Sequence, residues 1–401
     1  MAFFSGITTG VQKKALPVIA DCNTCGAWKT CSHGKQSFTG NPTKTVIVVP
    51  GIGVDAPDGI KHTVYKRLER LLGRLGKHRS DYTILSATAC PDANDEAWRH
   101  CMPILADQIR RINPVTVIPF GTKPISSVIT TIWNNAAETQ DRFMGYRIPS
   151  QAWNAWVCPV GTISPQKGMI EVSEMWAYRH MKAALALTER PWKTKQDYGS
   201  LVESLYTEEH IIKALGEIPP NAWSAFDYEA NGLKLEAPGM KIVSAAVAWV
   251  ADNEIRCISF PMLPGVRDAW IKYLQSPGKK IAANMKYEIR ASWAQYRVRV
   301  NTLVWDTVIA AHIDNNAKTT TGLKFQSLVK LGLPYYAHDV DELLGSDGPS
   351  VPNKIHLIPM GSLLRYGGID AVAELILGSV QLVEAELISK HIVPLKYIPG
   401  R

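Results

Sequence analysis

The stretch Trp223-Ser-Ala-Phe-Asp227-Tyr-Glu229-Ala-Asn-Gly232-Leu233 decides how the carboxy-terminal half reads. In an extended strand, residues i and i+2 point to one face. Asp227 and Glu229 therefore set two carboxylates side by side, and Gly232 turns the chain after them. Neighbouring carboxylates repel unless a cation lies between them. Their hard oxygen atoms suit Mg²⁺ or Mn²⁺. An isolated Asp-x-Glu is common at solvated strand edges, so the weight of this reading comes from acids further along the chain.

Outward from that strand, a short helical pattern at Thr207–Leu215 precedes three expected strands, Ala222–Asp227, Ile242–Val250 and Glu254–Phe260. Hairpin-linked strands followed by helices predict a mixed sheet. Ile281-Ala-Ala-Asn284-Met-Lys-Tyr287-Glu288 closes a strand and enters a helix. Leu364-Arg-Tyr366-Gly-Gly-Ile-Asp370-Ala lies in a late helix, where Tyr366 and Asp370, four apart, share one face. Asp306 is expected to cap the helix after it. His312 and His338 read as ordinary polar residues.

The order Asp-x-Glu, Asn-x-x-Tyr-Glu, Tyr-x-x-x-Asp resembles the DEDDy class of 3′→5′ exonucleases, most closely the proofreading domain of polymerase I-family DNA polymerases. Trp305-Asp306-Thr-Val-Ile-Ala-Ala-His and Thr321-Gly-Leu-Lys-Phe-Gln-Ser-Leu are similar to segments between that family's second and third motifs. The resemblance spans roughly residues 200–385. It implies a ribonuclease H-like fold in which Asp227, Glu229 and Asp370 hold two divalent ions, Mg²⁺ or Mn²⁺, with Glu288 supporting the second. Tyr366 would orient the attacking water, and Asn284 would touch nucleic acid. Glu288 stands where the family usually has Asp; it keeps the charge and lengthens the arm by one methylene. The implied substrate is a single-stranded DNA 3′ end, released as nucleoside 5′-monophosphates.

The amino-terminal half has a different character. Residues 1–190 carry 22 Lys and Arg against 14 Asp and Glu, the whole of the chain's +8 excess. That bias points to a polyanionic partner, nucleic acid first, or to a solvated basic surface. Apolar runs at Thr45–Pro50, Tyr82–Thr88, Val115–Phe120 and Ala155–Val160 alternate with helical patterns such as Val64–Leu75 and Ala97–Ile112. Strands separated by helices predict a three-layer parallel sheet. Helical spacing places Lys66 and Arg70 on one side, with Arg67 and Arg74 nearby, either as a phosphate-contacting stripe or as a solvated face.

Seven cysteines occur, five of them in about the first quarter of the chain. Cys22-Asn-Thr-Cys25 with Cys90 and Cys101 suits either Zn²⁺ or a [4Fe–4S] cluster. Cys31 could substitute within the first pair, and Cys158 and Cys257 read as buried thiols. With Cys101-Met-Pro-Ile-Leu-Ala-Asp-Gln-Ile-Arg-Arg-Ile-Asn-Pro-Val-Thr-Val-Ile-Pro-Phe-Gly121, these residues resemble the family-four iron–sulfur uracil-DNA glycosylases over about 20–185. The resemblance implies a uracil-DNA-glycosylase-like domain with a [4Fe–4S] cluster on Cys22, Cys25, Cys90 and Cys101, with Zn²⁺ as runner-up. Three parts of that family's excision machinery are absent. Val49-Pro-Gly-Ile-Gly53 has no acid in the water-activating frame, Ser86 replaces the uracil-reading asparagine, and no histidine lies between His100 and His180. A degenerate domain that binds DNA or assembles a complex is expected, because base excision needs a poised water and a read base.

Taken whole, the 401 residues, 46% hydrophobic and 20% charged, are globular in composition. The expected division is an amino-terminal domain at 1–190, a linker at 191–200 and an exonuclease domain at 201–401, all of α/β class. No membrane span and no secretory signal are read, so a cytoplasmic location is expected. No polymerase motif follows the exonuclease-like segment. The expected partner is therefore a separate polymerase chain, in a split enzyme of the kind a phage replisome would use. The alternatives are a uracil repair enzyme with an attached exonuclease, an exoribonuclease of ribonuclease D type, and a non-enzymatic replisome scaffold.

Overall fold

A computed structural model describes residues 25, 26, 29, 42–51, 63–90, 97–135, 141–163 and 168–401. By compactness the chain forms two units, which meet in sequence between Lys195 and Gln196; residues 328–334 and 399–401 group with the amino-terminal unit.

In the amino-terminal unit the strands are β1 (Thr45–Val49), β2 (Thr83–Ser86), β3 (Thr116–Pro119), β4 (Ile148–Ser150) and β5 (Ala155–Val157). They form one sheet in the order β2-β1-β3-β5-β4. β2, β1, β3 and β5 are parallel, as the strand–helix alternation predicts. The expectation of a wholly parallel sheet is corrected at the edge: β4 pairs antiparallel with β5 across a four-residue turn. Asn154 closes that turn with φ +48°, a conformation asparagine tolerates better than most residues. Helices α1 (Thr63–Arg74), α2 (Ala97–Ile112), α3 (Thr122–Trp133) and α4 (Ile170–Leu185) connect and cover the strands. Leu68, Leu71 and Leu72 of α1 and Ala177, Met181 and Ala184 of α4 share a core with Ile47, Val49, Ile84 and Ile118. β1 and β3 are buried on both faces, which is why they read as unbroken apolar runs.

Residues on either side of the boundary between Lys195 and Gln196 are held within their own units. Trp192 is buried, with its backbone N–H on the Asn154 side chain, and Arg190 donates to the carbonyls of Asn113, Pro114 and Asn154. Tyr198 is buried in the second unit, where its hydroxyl donates to the Tyr397 carbonyl.

The carboxy-terminal sheet runs β11-β10-β7-β8-β9-β6. Its strands are β6 (Val202–Ser204), β7 (Ser224–Ala230), β8 (Ile242–Ala251), β9 (Glu254–Pro261), β10 (Lys280–Ala282) and β11 (Leu303–Asp306). β8 is antiparallel to both neighbours, and β10 and β11 run parallel to β7. A central strand flanked by a hairpin meander on one side and parallel strands on the other is the ribonuclease H-like arrangement, now with β6 added at the edge parallel to β9. The helices are α5 (Glu208–Glu217), α6 (Arg267–Leu274), α7 (Met285–Tyr296), α8 (Thr307–Asp314), α9 (Leu323–Leu331), α10 (Asp341–Leu344) and α11 (Met360–Glu384).

The alternation of β7 gives each face its own task. Phe226 and Tyr228 enter an aromatic core with Phe260, Trp270 and Tyr273, at ring-centroid separations of 5.5 Å to 6.1 Å from Phe226 to Tyr228, Trp270 and Tyr273. Each such edge-on pair adds about 0.5–1.5 kcal/mol beyond area burial. The Trp270 indole donates to the Tyr228 hydroxyl at 2.8 Å, which in turn meets Ser292 at 2.9 Å. Asp227 and Glu229 lie on the opposite face, under α11.

α11 is by length and composition apolar enough to cross a membrane, yet almost all of Gly367–Leu382 is buried inside this unit. It is a core helix, apolar on every side because the chain surrounds it. One of two adjacent glycines lets it come close. A Cβ on Gly368 would overlap Val202 of β6, whereas a Cβ on Gly367 would sit 3.5 Å from Glu229 Cγ, an ordinary contact. The two alanine variants should therefore differ in sign. Gly367→Ala gains up to about 1 kcal/mol of helix propensity. Gly368→Ala loses about 1–3 kcal/mol to overpacking. Urea denaturation of both variants checks this.

Candidate active site

Asp227 and Glu229 from β7 and Asp370 from α11 meet with one ligand oxygen each, all within 4.8 Å of one another. Among the described residues this is the sole group of three or more acidic, histidine or cysteine side chains at metal-holding separation. Glu229 is 8% and Asp370 4% exposed. Burial, then the Asp370 charge, pushes the Asp227 carboxyl up to about 7. Burial, then the Asp227 and Asp370 charges, holds Glu229 well above the usual range. Such a cluster asks for positive charge, and its all-oxygen donor set fits Mg²⁺ or Mn²⁺.

Part of that charge comes from a residue that the sequence reading did not single out. The Lys324 ammonium of α9 donates to both carboxylate oxygens of Asp370. It lies 4.2 Å from the Tyr366 ring centroid and 4.5 Å from that of Tyr336. Its charge also eases Asp227 and Glu229. Tyr336 donates its hydroxyl to Asp370 Oδ1. Lys324 thus stands in for a cation beside the carboxylates. Lys324→Met should cost about 1–3 kcal/mol in metal-free protein at pH 8, the penalty for an acceptor left without its donor. Saturating Mn²⁺ should erase that deficit, since the ion then supplies the missing charge. Thermal melts with EDTA and with Mn²⁺ check both halves.

Glu288 lies on α7, 2% exposed. Burial, then the Asp227 charge, raises its carboxyl well above the usual range, and its Oε2 atom has no partner. Tyr366 lies one turn before Asp370 on α11, and burial, then the Asp370 charge, keeps its hydroxyl protonated well above 10. Asn284 is exposed and left-handed, φ +61°, at the bend between β10 and α7. Its own N–H and that of Met285 donate to Asp306 at 3.1 Å and 2.9 Å. The bend gives asparagine a local reason to stand there, apart from any nucleic acid. Asp306 also accepts from Val308 and Ile309 N–H groups, so it is the expected helix cap and a clamp on the Asn284 bend together.

A second residue that sequence reading passed over is Glu374, four residues beyond Asp370 on α11 and 1% exposed. Burial comes first among the causes that raise its carboxyl, followed by the charges of Asp227, Glu288 and Asp370. The i, i+4 spacing from Asp370 was the available signal.

In the amino-terminal unit the basic stripe is broken up. Arg67 donates to the Ile163 carbonyl at 3.0 Å, and Arg74 pairs with Glu174 and stacks over Tyr178. Arg67 is half-buried, and Arg74, though paired, is exposed, as are Lys66 and Arg70. Cys22 lies outside the described residues. Cys25 is half-buried, and Cys90 and Cys101 are buried, with the Ala89 N–H 3.4 Å from Cys101 Sγ. Cys158 and Cys257 are buried thiols as expected; burial pushes Cys158 up to about 12 and Cys257 higher.

No family model and no curated protein matches the chain. Among solved structures it is similar to ribonuclease D of Trypanosoma brucei bound to GMP, at 17% identity and TM-score 0.36, over 49% of this chain and 66% of that one. It is also similar to the polymerase domain of Pol1 from M. smegmatis (15% identity, TM-score 0.30, 47% and 28% covered). A third likeness is to the exonuclease domain of Aedes aegypti Nibbler (11% identity, TM-score 0.33, 47% and 91% covered).

Proposed function

We propose that the carboxy-terminal unit is a metal-dependent 3′→5′ exonuclease acting on single-stranded DNA ends. The observation that supports it is the convergence of Asp227, Glu229 and Asp370 within 4.8 Å, on a central strand and a core helix that hold them rigid. Divalent cations bound there supply charge neutralisation at the scissile phosphate and acidify the attacking water. Asp227, Glu229 and Asp370 would hold the cations, and Glu288 would close the site from α7. The Tyr366 hydroxyl keeps its proton, so it positions the water by hydrogen bonding and does not act as base. Attack by water forms a new P–O bond and breaks the bond to the 3′-oxygen of the preceding nucleotide; water gives up a proton to solvent, the departing 3′-oxygen takes one from it, and the products are a shortened chain and a nucleoside 5′-monophosphate.

The amino-terminal unit is, in this reading, a uracil-DNA-glycosylase-like scaffold without excision activity. Cys22, Cys25, Cys90 and Cys101 would carry a [4Fe–4S] cluster, or Zn²⁺ in its place; the burial of Cys90 and Cys101 suits either. The exposed Lys66 and Arg70 would contact the nucleic-acid backbone, and the partner would be a separate polymerase chain.

Matched 5′-labelled DNA and RNA oligonucleotides, each with a free or a blocked 3′ end, test the proposal. Ladders that shorten from the free 3′ end of DNA, and much less from RNA, are expected. Preferential loss of RNA would move the reading to an exoribonuclease, and cleavage indifferent to the 3′ block would overturn the polarity.

A further inference from the structure

We propose that Glu374 is a fifth carboxylate of the metal centre and, together with Glu288, draws the second divalent cation toward Asp227. This rests on the metal-dependent reading of the site above and goes beyond the four acids that the sequence motifs supply. Glu374 and Glu288 are 1% and 2% exposed, and each leaves its Oε2 atom without any hydrogen-bond partner. Buried polar atoms are nearly always satisfied, and an orphaned pair beside a cation site marks a missing ion or water.

The placement is specific. Glu374 follows Asp370 by four residues on α11, so it lies on the same face, which looks onto β7. The Ala283 backbone N–H steadies the Glu374 carboxylate, which links α11 to the bend from which α7 carries Glu288 inward. Asp227 bears on both glutamates and also completes the trio with Glu229 and Asp370. Asp227 is thus the acid whose charge acts on both groups. Glu229 and Asp370 are already faced by Lys324. Glu288 and Glu374 form no ion pair among the described residues. A cation drawn toward Glu288 and Glu374 would give their orphaned oxygens a partner. A plain core acid would instead be expected to turn its open oxygen onto a donor.

Titration of the full chain with Mn²⁺, followed by calorimetry and by the manganese paramagnetic resonance signal, tests this. The wild type should take up two ions. Glu374→Gln should weaken the second by about tenfold or more and the first by less than about threefold. The metal-free Glu374→Gln chain should melt above wild type, because a buried charge is gone, and gain less from Mn²⁺. Should that variant not fold, Glu374→Asp, which keeps the charge one methylene back, should weaken the second ion alone. Unchanged affinities for both ions in Glu374→Gln would overturn the proposal while leaving the exonuclease reading intact. A wild type that binds no Mn²⁺ would remove both.

Discussion

Asp370→Ala lowers nuclease turnover by about 10³-fold or more, with a much smaller loss of stability. Bound metal supplies several kcal/mol of transition-state charge stabilisation, and each 1.36 kcal/mol is worth tenfold in rate. Asp370 is the acid with most to lose, since it joins the ligand trio, accepts both Lys324 bonds and accepts the Tyr336 hydroxyl. Alanine removes all three at once and frees Lys324 to move onto Asp227 and Glu229, which excludes the cation further. The fold suffers less, because two acids remain to face the ammonium and α11 keeps its apolar contacts. Single-turnover digestion alongside urea denaturation separates the two effects. A variant that retains more than about a tenth of wild-type turnover would contradict the assignment.

Metal-free protein loses stability as the pH rises from about 4 to about 7. The Asp227 carboxyl is pushed up to about 7 by burial first and then by the Asp370 charge, against an ordinary value of 3.8. A group whose folded-state pKa is raised binds its proton more tightly in the folded chain. Its contribution is fully present below the unfolded value and fades as pH climbs through the folded one. Glu229, Glu288 and Glu374 shift in the same direction and steepen the slope. Divalent metal competes with those protons, so Mn²⁺ affinity should rise over the same range and level off above about pH 7. Melting temperatures in EDTA from pH 4 to 8, and again with Mn²⁺, show both trends. A metal-free melting temperature that climbs across this window would mean that these acids are ionised and paired in the folded chain.

Most of the candidate site could be read from local spacing. Asp227 and Glu229 share a strand face, and Tyr366 and Asp370 a helix face, because periods of 2 and 3.6 fix direction without any tertiary knowledge. Lys324 and Tyr336 were not legible, because they reach Asp370 from 46 and 34 residues away, by side-chain contacts that only the folded chain makes. Glu374 had a helical signal but no motif. Gly368 was visible as sequence, but its reason, the approach of Val202 from a three-residue edge strand, depends on β6, which is too short to announce itself. β4 escaped for the same reason, and with it the antiparallel edge of the first sheet. In α1 the charges were legible but their use was not. Spacing placed Arg67 and Arg74 beside Lys66 and Arg70, whereas the Ile163 carbonyl and Glu174 each take one of the first two as a partner.

The most direct test of the central claim is digestion of a 5′-labelled single-stranded DNA by the full chain and by its Asp227→Ala variant, in Mg²⁺, in Mn²⁺ and in EDTA. The expected result is a ladder that shortens from the 3′ end with either metal, vanishes in EDTA and is absent from the variant. A wild-type chain that leaves the DNA intact in both metals, or a variant that digests it as well as wild type, would contradict the assignment of Asp227, Glu229 and Asp370 as the working site.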